Sequence, residues 1–231
     1  MEAVNRKPKL VIFDCDGTLV DSQHIIIKAM KTAFETHDLM PPPDHDIRSI
    51  IGLSLVTAVD ALVPEPDKAK LPVLCDVFRA SFIAQRELPD FHEPMFAGAR
   101  EILRDLSARD DILLGVATGK SRRGVDKLFE RENLGQYFFN IQTADDAPSK
   151  PHPGMIQRAI EQTGISCKNV LMIGDTTFDI EMARNADVGA IGVRWGYHEE
   201  QALLGAGAHH LIDQFSEITD LLATLDQLAC Q

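Results

Sequence analysis

Short apolar runs alternate with helical patterns along most of the chain, and this alternation constrains the fold more than any other feature. The apolar runs cover residues 9–14, 112–117, 138–141, 169–173, 190–195 and 210–213. Apolar residues recur with a helical period over 98–106, 122–130, 153–163, 178–186 and 217–228. Strands that alternate with helices form parallel sheets, and continuous apolar runs indicate strands covered on both faces. We therefore predict an α/β fold with a parallel sheet and helices on both of its faces.

One long stretch breaks the alternation, because residues 20–92 contain no convincing strand pattern. Apolar residues fall on three helical faces there: Ile26, Met30, Ala33 and Phe34; Leu55, Val59, Leu62 and Val63; and Leu71, Leu74, Cys75, Phe78 and Phe82. Proline-rich segments at 41–43 and 64–66 mark turns between these helices. We predict a helical domain over 20–92, inserted into a core formed by residues 1–19 and 93–231.

Charge and apolar content exclude several classes of protein. The 231 residues include 23 Lys and Arg against 35 Asp and Glu, which gives a net charge of −12 and no basic stripe for nucleic acid. No apolar run approaches the roughly 18 residues of a membrane-spanning helix, and no signal-peptide pattern is visible. The four scattered cysteines indicate a reducing compartment. We expect a cytoplasmic protein without nucleic-acid or membrane partners, and the sequence leaves monomer and homodimer open.

Two pairs of carboxylates follow predicted strands. Asp14 and Asp16 end the first apolar run, with Gly17 behind them, and Asp175 and Asp179 follow the fourth run. Residues i and i+2 of an extended chain point the same way, so we expect Asp14 and Asp16 to converge on one site. Residues four apart stack on a helix, which applies to Asp175 and Asp179. Carboxylates this close repel one another unless a cation neutralises them, and such oxygen ligands suit Mg²⁺.

Three further candidate site residues lie after a strand or before a helix, between these pairs. Thr118 and Gly119 follow the second apolar run, and Lys150 precedes a predicted helix. The carboxyl ends of parallel strands share one sheet edge, where open α/β sheets bind ligands. Together with the carboxylates, these residues suit an anionic ligand held by metal, ammonium and backbone N–H groups.

These motifs, in this order, resemble those of the haloacid dehalogenase superfamily of phosphatases. The set is D-x-D-G-T at 14–18, Thr118 at a strand end, Lys150, and G-D-x-x-x-D at 174–179. The resemblance covers nearly the whole chain, and the inserted domain is similar to the α-helical cap of that family. Segments 16–22, 51–55, 149–153 and 195–197 most resemble phosphoglycolate phosphatase-like members. The resemblance implies a Rossmann-like core and Mg²⁺-dependent hydrolysis of a small phosphomonoester.

The resemblance also implies roles for the four carboxylates. Asp14 would be the nucleophile that forms an aspartyl phosphate. Asp16 would be the general acid that protonates the leaving group and then the base that activates water. Asp14, the backbone carbonyl of Asp16, and Asp175 would hold Mg²⁺. Asp179 would position one of these ligands through a hydrogen bond.

The same resemblance implies how the substrate would be held. Thr118, Gly119 and Lys150 would bind the oxygens of the transferring phosphoryl group, and Lys150 would also balance the charge of the nucleophile. The cap would close over a small phosphorylated metabolite, with 2-phosphoglycolate as the first choice. Ser54, in the cap loop, and Arg48 are candidate substrate contacts.

A short acid phosphate also needs a cation near the seam between cap and core. Arg48 or Arg122 could supply that cation.

Three alternatives remain open. A haloacid dehalogenase also uses an Asp nucleophile, but it needs no metal and lacks the second carboxylate, so Asp16 and Asp175 count against it. A phosphosugar mutase would carry a basic residue where this chain has Leu55. A non-catalytic phospho-accepting signalling module has its acidic pair before a separate acceptor Asp, whereas here the second acidic pair follows Lys150.

Overall fold

Six parallel strands form a single sheet in the computed structural model, which describes residues 7–222. The strands are β1 (Lys9–Phe13), β2 (Ile112–Ala117), β3 (Asn140–Gln142), β4 (Val170–Gly174), β5 (Gly189–Val193) and β6 (His210–Ile212). Their order is β3-β2-β1-β4-β5-β6, so the two strands paired with β1 are β2 and β4. The predicted Rossmann-like α/β fold is confirmed.

Helices cover both faces of this sheet. They are α5 (Ala99–Ser107), α6 (Arg122–Glu132), α7 (Gly154–Thr163), α8 (Thr177–Asn185), α9 (Glu200–Gly205) and α10 (Ile218–Leu221), after four earlier helices described below. Val11 and Phe13 of β1 are buried in one apolar cluster with α5 and α6, and Leu10 and Ile12 in a second cluster with α7 and α8. This alternation explains why β1 is apolar at every position from Leu10 to Phe13.

The insert between β1 and α5 is helical and has an apolar cluster of its own. Its helices are α1 (Gln23–Glu35), α2 (Asp44–Ser49), α3 (Leu55–Leu62) and α4 (Leu71–Arg86), with a 3₁₀ turn at Glu65–Lys70. Met30, Phe34, Ile47 and Leu74 are buried in that cluster. We call this insert the cap. Its limits at residues 20 and 92 stay a prediction.

The chain enters and leaves the cap at adjacent points. Val20 pairs with Met95 in an antiparallel bridge, and the Asp21 N–H donates to the Pro94 carbonyl at 2.9 Å. Two neighbouring extended segments therefore join the cap to the core.

Some elements differ from the sequence-based prediction. The third strand lies at 140–142 rather than 138–141, and α9 was not predicted, because a six-residue helix shows too little periodicity. The last predicted helix, 217–228, is described only from Ile218 to Leu221, and residues beyond 222 lie outside the described part. No helix between residues 7 and 222 has both the length and the apolar character needed to cross a membrane.

Candidate active site

The site lies where β1, β2 and β4 end, at one edge of the sheet. Asp14 follows β1, Thr118 follows β2, and Asp175 follows β4. Directly after β1 the chain turns sharply: the N–H groups of Leu19 and Val20 both donate to the Cys15 carbonyl, at 2.8 and 3.0 Å. The neighbouring positions of the three strands thus bring residues far apart in the sequence to one point.

Three carboxylates form a buried cluster at this edge. Asp14, Asp175 and Asp179 each place an oxygen within 4.8 Å of the others, and each residue is 0% exposed. Burial raises the pKa of Asp14 to about 7; Lys150 lowers that pKa and Asp179 and Asp16 raise it. Burial, followed by Asp179 and Asp14, raises the pKa of Asp175 well above its usual range. Ionisation of all three carboxylates is therefore unfavourable unless positive charge is placed beside them.

Lys150 lies beside two of these carboxylates. Its Nζ is 2.9 Å from Asp14 Oδ2 and 2.5 Å from Asp179 Oδ1, and its side chain is 0% exposed. Burial alone would lower the pKa of Lys150, but Asp14 and Asp179 raise it above its usual range. Lys150 is thus a buried cation flanked by two carboxylates, although lysine is normally an exposed residue.

Asp179 is held by the start of its own helix. Its Oδ2 accepts from Thr176 Oγ1 at 2.7 Å and from the Thr176 N–H at 3.1 Å, and the Asp179 N–H donates to Thr176 Oγ1 at 3.3 Å. This capping box fixes the first turn of α8. Both Asp179 oxygens therefore have protein partners, Lys150 on one and Thr176 on the other.

Asp175 is held by contacts from two loops. Its Oδ1 accepts from Thr18 Oγ1 at 2.8 Å, and its Oδ2 accepts from the Tyr197 N–H at 2.9 Å. Gly17 and Gly196 lie so close to this side chain that a Cβ on either glycine would clash with it. Gly17 also has φ +83°, which disfavours any larger residue.

The carboxylate of Asp16 lies beside the acidic cluster of Asp14, Asp175 and Asp179, and it is close enough to Asp14 to raise the pKa of that carboxyl. Because β1 ends at Phe13 and residues 15–20 form a turn, the alternation of an extended strand does not extend to Asp16. Its Oδ1 accepts hydrogen bonds from Ser22 Oγ and from Lys120 Nζ, the latter at 2.5 Å. Asp16 therefore faces a separate cation and borders the cavity described below.

Lys120 and Glu93 belong to the site although the sequence analysis gave them no role. Lys120 Nζ lies 3.3 Å from Glu93 Oε1, and Arg131 Nη1 lies 2.6 Å from Glu93 Oε2. Burial would lower the pKa of Lys120, but Asp16 and Glu93 raise it above its usual range. The position of Lys120 directly after Thr118 and Gly119 could have identified it as a site residue. No motif in the sequence includes Glu93.

Thr118 and Gly119 lie at the start of the loop after β2. Thr118 is buried, and the helix that follows is capped by Ser121, whose Oγ accepts from the Gly124 N–H at 3.2 Å. Thr118 is thus not the N-cap residue of α6. Gly119 lies against the carbonyls of Gly52 and Leu53 in the cap, where any Cβ would clash.

A cavity of about 380 Å³ lies between the cap and the core. Its lining includes Asp16 and Gly119 from the core and Ser54 from the cap loop. The Ser54 N–H also donates to Ser149 Oγ at 2.8 Å, which ties the cap loop to the residue before Lys150. The volume of this cavity falls in the range of small-molecule pockets.

Two predicted cations lie elsewhere. Arg48 Nε donates to Gln23 Oε1 at 2.9 Å, and Arg48 borders an open groove on the cap that does not include the site residues. Arg122 Nη2 donates to Asp146 Oδ2 at 2.8 Å and to the Ile141 carbonyl at 2.7 Å. Neither arginine lines the cavity between cap and core, and a role for either at the seam stays a prediction.

The acidic cluster fits a divalent cation. Both carboxylate oxygens of Asp14 are buried, and among residues 7–222 neither accepts a well-oriented hydrogen bond, although Lys150 lies close as an ion pair. Buried oxygens without donors are costly unless another group neutralises them. Three carboxylates in one place are the oxygen donors that hard divalent cations prefer.

The fold and the site together define a Rossmann-like α/β protein with a helical insert and a buried carboxylate cluster at the carboxyl ends of its strands. The sequence profile described as "Haloacid dehalogenase-like hydrolase" matches residues 11–193. The chain therefore belongs to the haloacid dehalogenase-like hydrolases, and it is an enzyme of the phosphatase type within that family.

Similar proteins agree with this assignment. IndB of Dickeya dadantii, which is named as a phosphatase, is 34% identical over 222 residues, covering 95% of this chain and 96% of its own. A phosphoglycolate phosphatase of Vibrio parahaemolyticus is 24% identical (93% and 96% covered), and the pyrophosphatase PpaX of Bacillus cereus is 25% identical (94% and 97% covered). A solved structure of a haloacid dehalogenase-like hydrolase from Bacteroides fragilis superposes with a TM-score of 0.83 at 23% identity, covering 92% of this chain and all of that one.

Proposed function

We propose that this phosphatase hydrolyses a small phosphomonoester through an aspartyl phosphate on Asp14, with Mg²⁺ as its metal. The observation that carries this proposal is the Asp14 carboxylate, which is buried at a strand end, lacks hydrogen-bond donors of good geometry and lies 2.9 Å from Lys150. Apart from the Lys150 ion pair, no donor within residues 7–222 occupies the Asp14 oxygens, so their lone pairs are available for attack. We infer that 2-phosphoglycolate-like esters are the first substrates to test.

Asp14 and Asp175, with the backbone carbonyl of Asp16, would hold the metal. When bound, Mg²⁺ supplies positive charge that offsets the carboxylates and the phosphoryl oxygens. Asp179 would act by positioning, because its Oδ1 holds the Lys150 ammonium, whereas Asp175 accepts, among the described residues, only from neutral donors, the Thr18 hydroxyl and the Tyr197 N–H. Lys150 thereby stays fixed beside Asp14.

The first step transfers the phosphoryl group to the protein. An oxygen of Asp14 forms a bond to phosphorus while the bond from phosphorus to the ester oxygen breaks. Asp16 gives its proton to the departing alkoxide, which would otherwise be a very poor leaving group. Lys150, the Thr118 hydroxyl and the Gly119 N–H bind the phosphoryl oxygens and hold the group in place.

The second step restores the enzyme. A water molecule attacks phosphorus, Asp16 takes a proton from that water, and the bond between phosphorus and Asp14 breaks. The products are inorganic phosphate and a free Asp14 carboxylate, and Asp16 is again protonated for the next substrate. The two roles of Asp16 balance over the cycle.

The substrate class follows from the cap. The cavity of about 380 Å³ admits a small metabolite, and a closing cap excludes water from the reaction. The net charge of −12 disfavours polyanions such as nucleic acid. We place the enzyme in the cytoplasm, because Cys15, Cys75 and Cys167 are free thiols.

A phosphate-release screen tests this proposal. The panel contains 2-phosphoglycolate, glucose phosphates, pyrophosphate and a phosphopeptide, each measured with Mg²⁺ and with excess chelator. We expect Mg²⁺-dependent release from a small ester and none from Asp14→Asn. Full activity in chelator would overturn the metal assignment, and a phosphopeptide as the best substrate would overturn the closed-cap interpretation.

A further inference from the structure

Arg86 is a cation of the cap that borders the cavity and lacks hydrogen bonds. It is the last residue of α4, and its guanidinium carbon lies 4.8 Å from the centre of the Phe82 ring. Its Nε and Nη2 are buried and donate no hydrogen bond to any residue between 7 and 222. Burial lowers the pKa of Arg86 below its usual range, because desolvation disfavours the cation. A buried guanidinium with unused donors calls for an explanation.

Glu93 does not satisfy this cation. Its Oε2 is 3.9 Å from Arg86 Nη2, which is beyond hydrogen-bond distance, but only 2.6 Å from Arg131 Nη1. Its Oε1 is engaged by Lys120 at 3.3 Å. The Glu93 carboxylate is thus engaged by two core cations and reaches Arg86 only as a longer ion pair, so Arg86 Nε and Nη2 have no hydrogen bond within residues 7–222.

The cavity beside Arg86 is positively charged in an acidic protein. Its charged lining residues are Arg79, Arg86, Lys120 and Arg123 against Asp16 and Asp145. The rest of its wall is largely apolar, with Met30, Phe78 and Phe82 from the cap. An apolar wall that ends at a guanidinium held, in the described part of the chain, only by a long ion pair suits a ligand with a carbon body and a distal oxyanion.

The core end of the same cavity is lined by Asp16, Gly119 and Lys120. Lys120 Nζ lies 5.6 Å from the centre of the Phe82 ring and 2.5 Å from Asp16 Oδ1. Phe82 therefore lies beside both Arg86 and the cation that pairs with Asp16. A leaving group protonated by Asp16 would extend into the cavity toward Arg86.

We propose that Arg86 binds a second anionic group, carried at the far end of the leaving group. This inference rests on the proposed function, and it narrows the substrate class to phosphomonoesters that bear a carboxylate or a similar oxyanion. Arg86 is then a specificity-determining residue on the cap side of the cavity.

Matched substrate pairs test this inference. 4-Carboxybenzyl phosphate and benzyl phosphate share a benzylic leaving group and differ by one carboxylate, and 2-phosphoglycolate and ethyl phosphate form a shorter pair. We expect kcat/KM of the wild-type enzyme to favour the carboxylate in the pair that reaches Arg86, by about 10- to 100-fold, the value of a charge-assisted hydrogen bond. Arg86→Gln should abolish that preference, and Arg86→Lys should retain part of it.

The control is Arg104→Gln, which removes an exposed arginine that pairs with Asp105 on α5. It should keep the wild-type ratio between the two substrates of each pair, and thermal unfolding checks that every variant is folded. A purely structural role for Arg86 would lower kcat/KM for both substrates equally and leave the ratio unchanged, which would overturn the inference.

The remaining outcomes separate the two proposals. If the wild-type enzyme hydrolyses the esters but shows no carboxylate preference in either pair, the role of Arg86 is wrong and the proposed function stands. If it hydrolyses none of them with Mg²⁺, the proposed function itself fails, and the inference fails with it.

Discussion

Lys120 and Asp16 form a buried ion pair at the boundary between core and cap, with Nζ 2.5 Å from Oδ1 and only 7% of the lysine side chain exposed. Glu93 lies on the other side of the same ammonium, at 3.3 Å. The Lys120 ammonium thus binds both Asp16, the proposed general acid, and Glu93, which precedes the segment where the chain leaves the cap. Removing it would leave the poorly solvated Asp16 carboxylate without its cation, while Glu93 would keep Arg131.

We therefore expect Lys120→Met to destabilise the fold by about 3–5 kcal/mol, the usual cost of breaking a buried pair. Chemical denaturation measures this free energy of unfolding. Lys127→Met is the matched control, because Lys127 is 59% exposed and pairs with Glu130 on the surface, where such pairs contribute about 1 kcal/mol or less. Equal losses in the two variants would show that the buried pair has no special importance.

Substitution of Asp16 separates substrates by leaving group. Asp16→Asn should slow alkyl phosphates by about 10²–10⁴-fold, the usual contribution of general acid catalysis. Aryl phosphates should lose less, since a phenolate leaves without a proton. Steady-state kinetics with ethyl phosphate and 4-nitrophenyl phosphate make the comparison, and an equal loss on both would remove Asp16 from the acid role.

Gly196 should be required for metal binding, because it leaves room for the Asp175 side chain. A Cβ at this position would overlap the Asp175 side chain, so Gly196→Ala must displace that carboxylate. We expect the Mg²⁺ concentration for half-maximal activity to rise by about 10- to 100-fold, as for other residues that position metal ligands. Gly205→Ala is the control, since a Cβ there meets no atom within 4 Å. Unchanged Mg²⁺ dependence in Gly196→Ala would argue against Asp175 as a ligand.

The raised pKa values predict how pH affects the metal-free protein. The pKa of Asp14 is about 7 in the folded protein, against about 3.9 in an unfolded chain, and that of Asp175 is raised in the same sense. Between these two pKa values the folded state binds more protons than the unfolded state. The free energy of unfolding from these two groups is therefore greatest below about pH 4, and it falls as the pH rises to about 7. In chelator, the Tm should fall between pH 5 and pH 8.

Mg²⁺ should reverse this loss, because a metal ion binds the ionised carboxylates. The rise in Tm on adding Mg²⁺ should therefore be larger at pH 8 than at pH 5. Asp14→Asn provides the control, since it removes one titrating group and should flatten the pH dependence in chelator. A Mg²⁺-induced shift of the same size at both pH values would contradict this interpretation.

Much of the core of the site could be predicted from local sequence. Asp14 and Asp175 each follow a short apolar run that ends at a polar residue, and two such strands in a parallel sheet place their ends together. Lys150 was found through its motif context. The placement of these residues depends on the order and direction of the strands, and the pattern of apolar runs constrains both.

The cap side of the site could not be predicted in the same way. The pairing of Asp16 with Lys120 joins residues 104 positions apart, and Glu93 reaches them only because the chain returns from the cap beside its entry point. Arg86 and Arg48 are equivalent in sequence terms, both being arginines near the ends of cap helices. Only the packing of cap on core shows that Arg86 borders the cavity.

The most direct measurement for the account as a whole is acid quenching of the enzyme during turnover of a small phosphomonoester with Mg²⁺, followed by mass spectrometry of its peptides. We expect a phosphoryl group on the peptide that contains Asp14 in the wild-type enzyme, and neither this adduct nor phosphate release in Asp14→Asn. Steady phosphate release by Asp14→Asn, or a phosphoryl group attached to a different residue, would contradict the account.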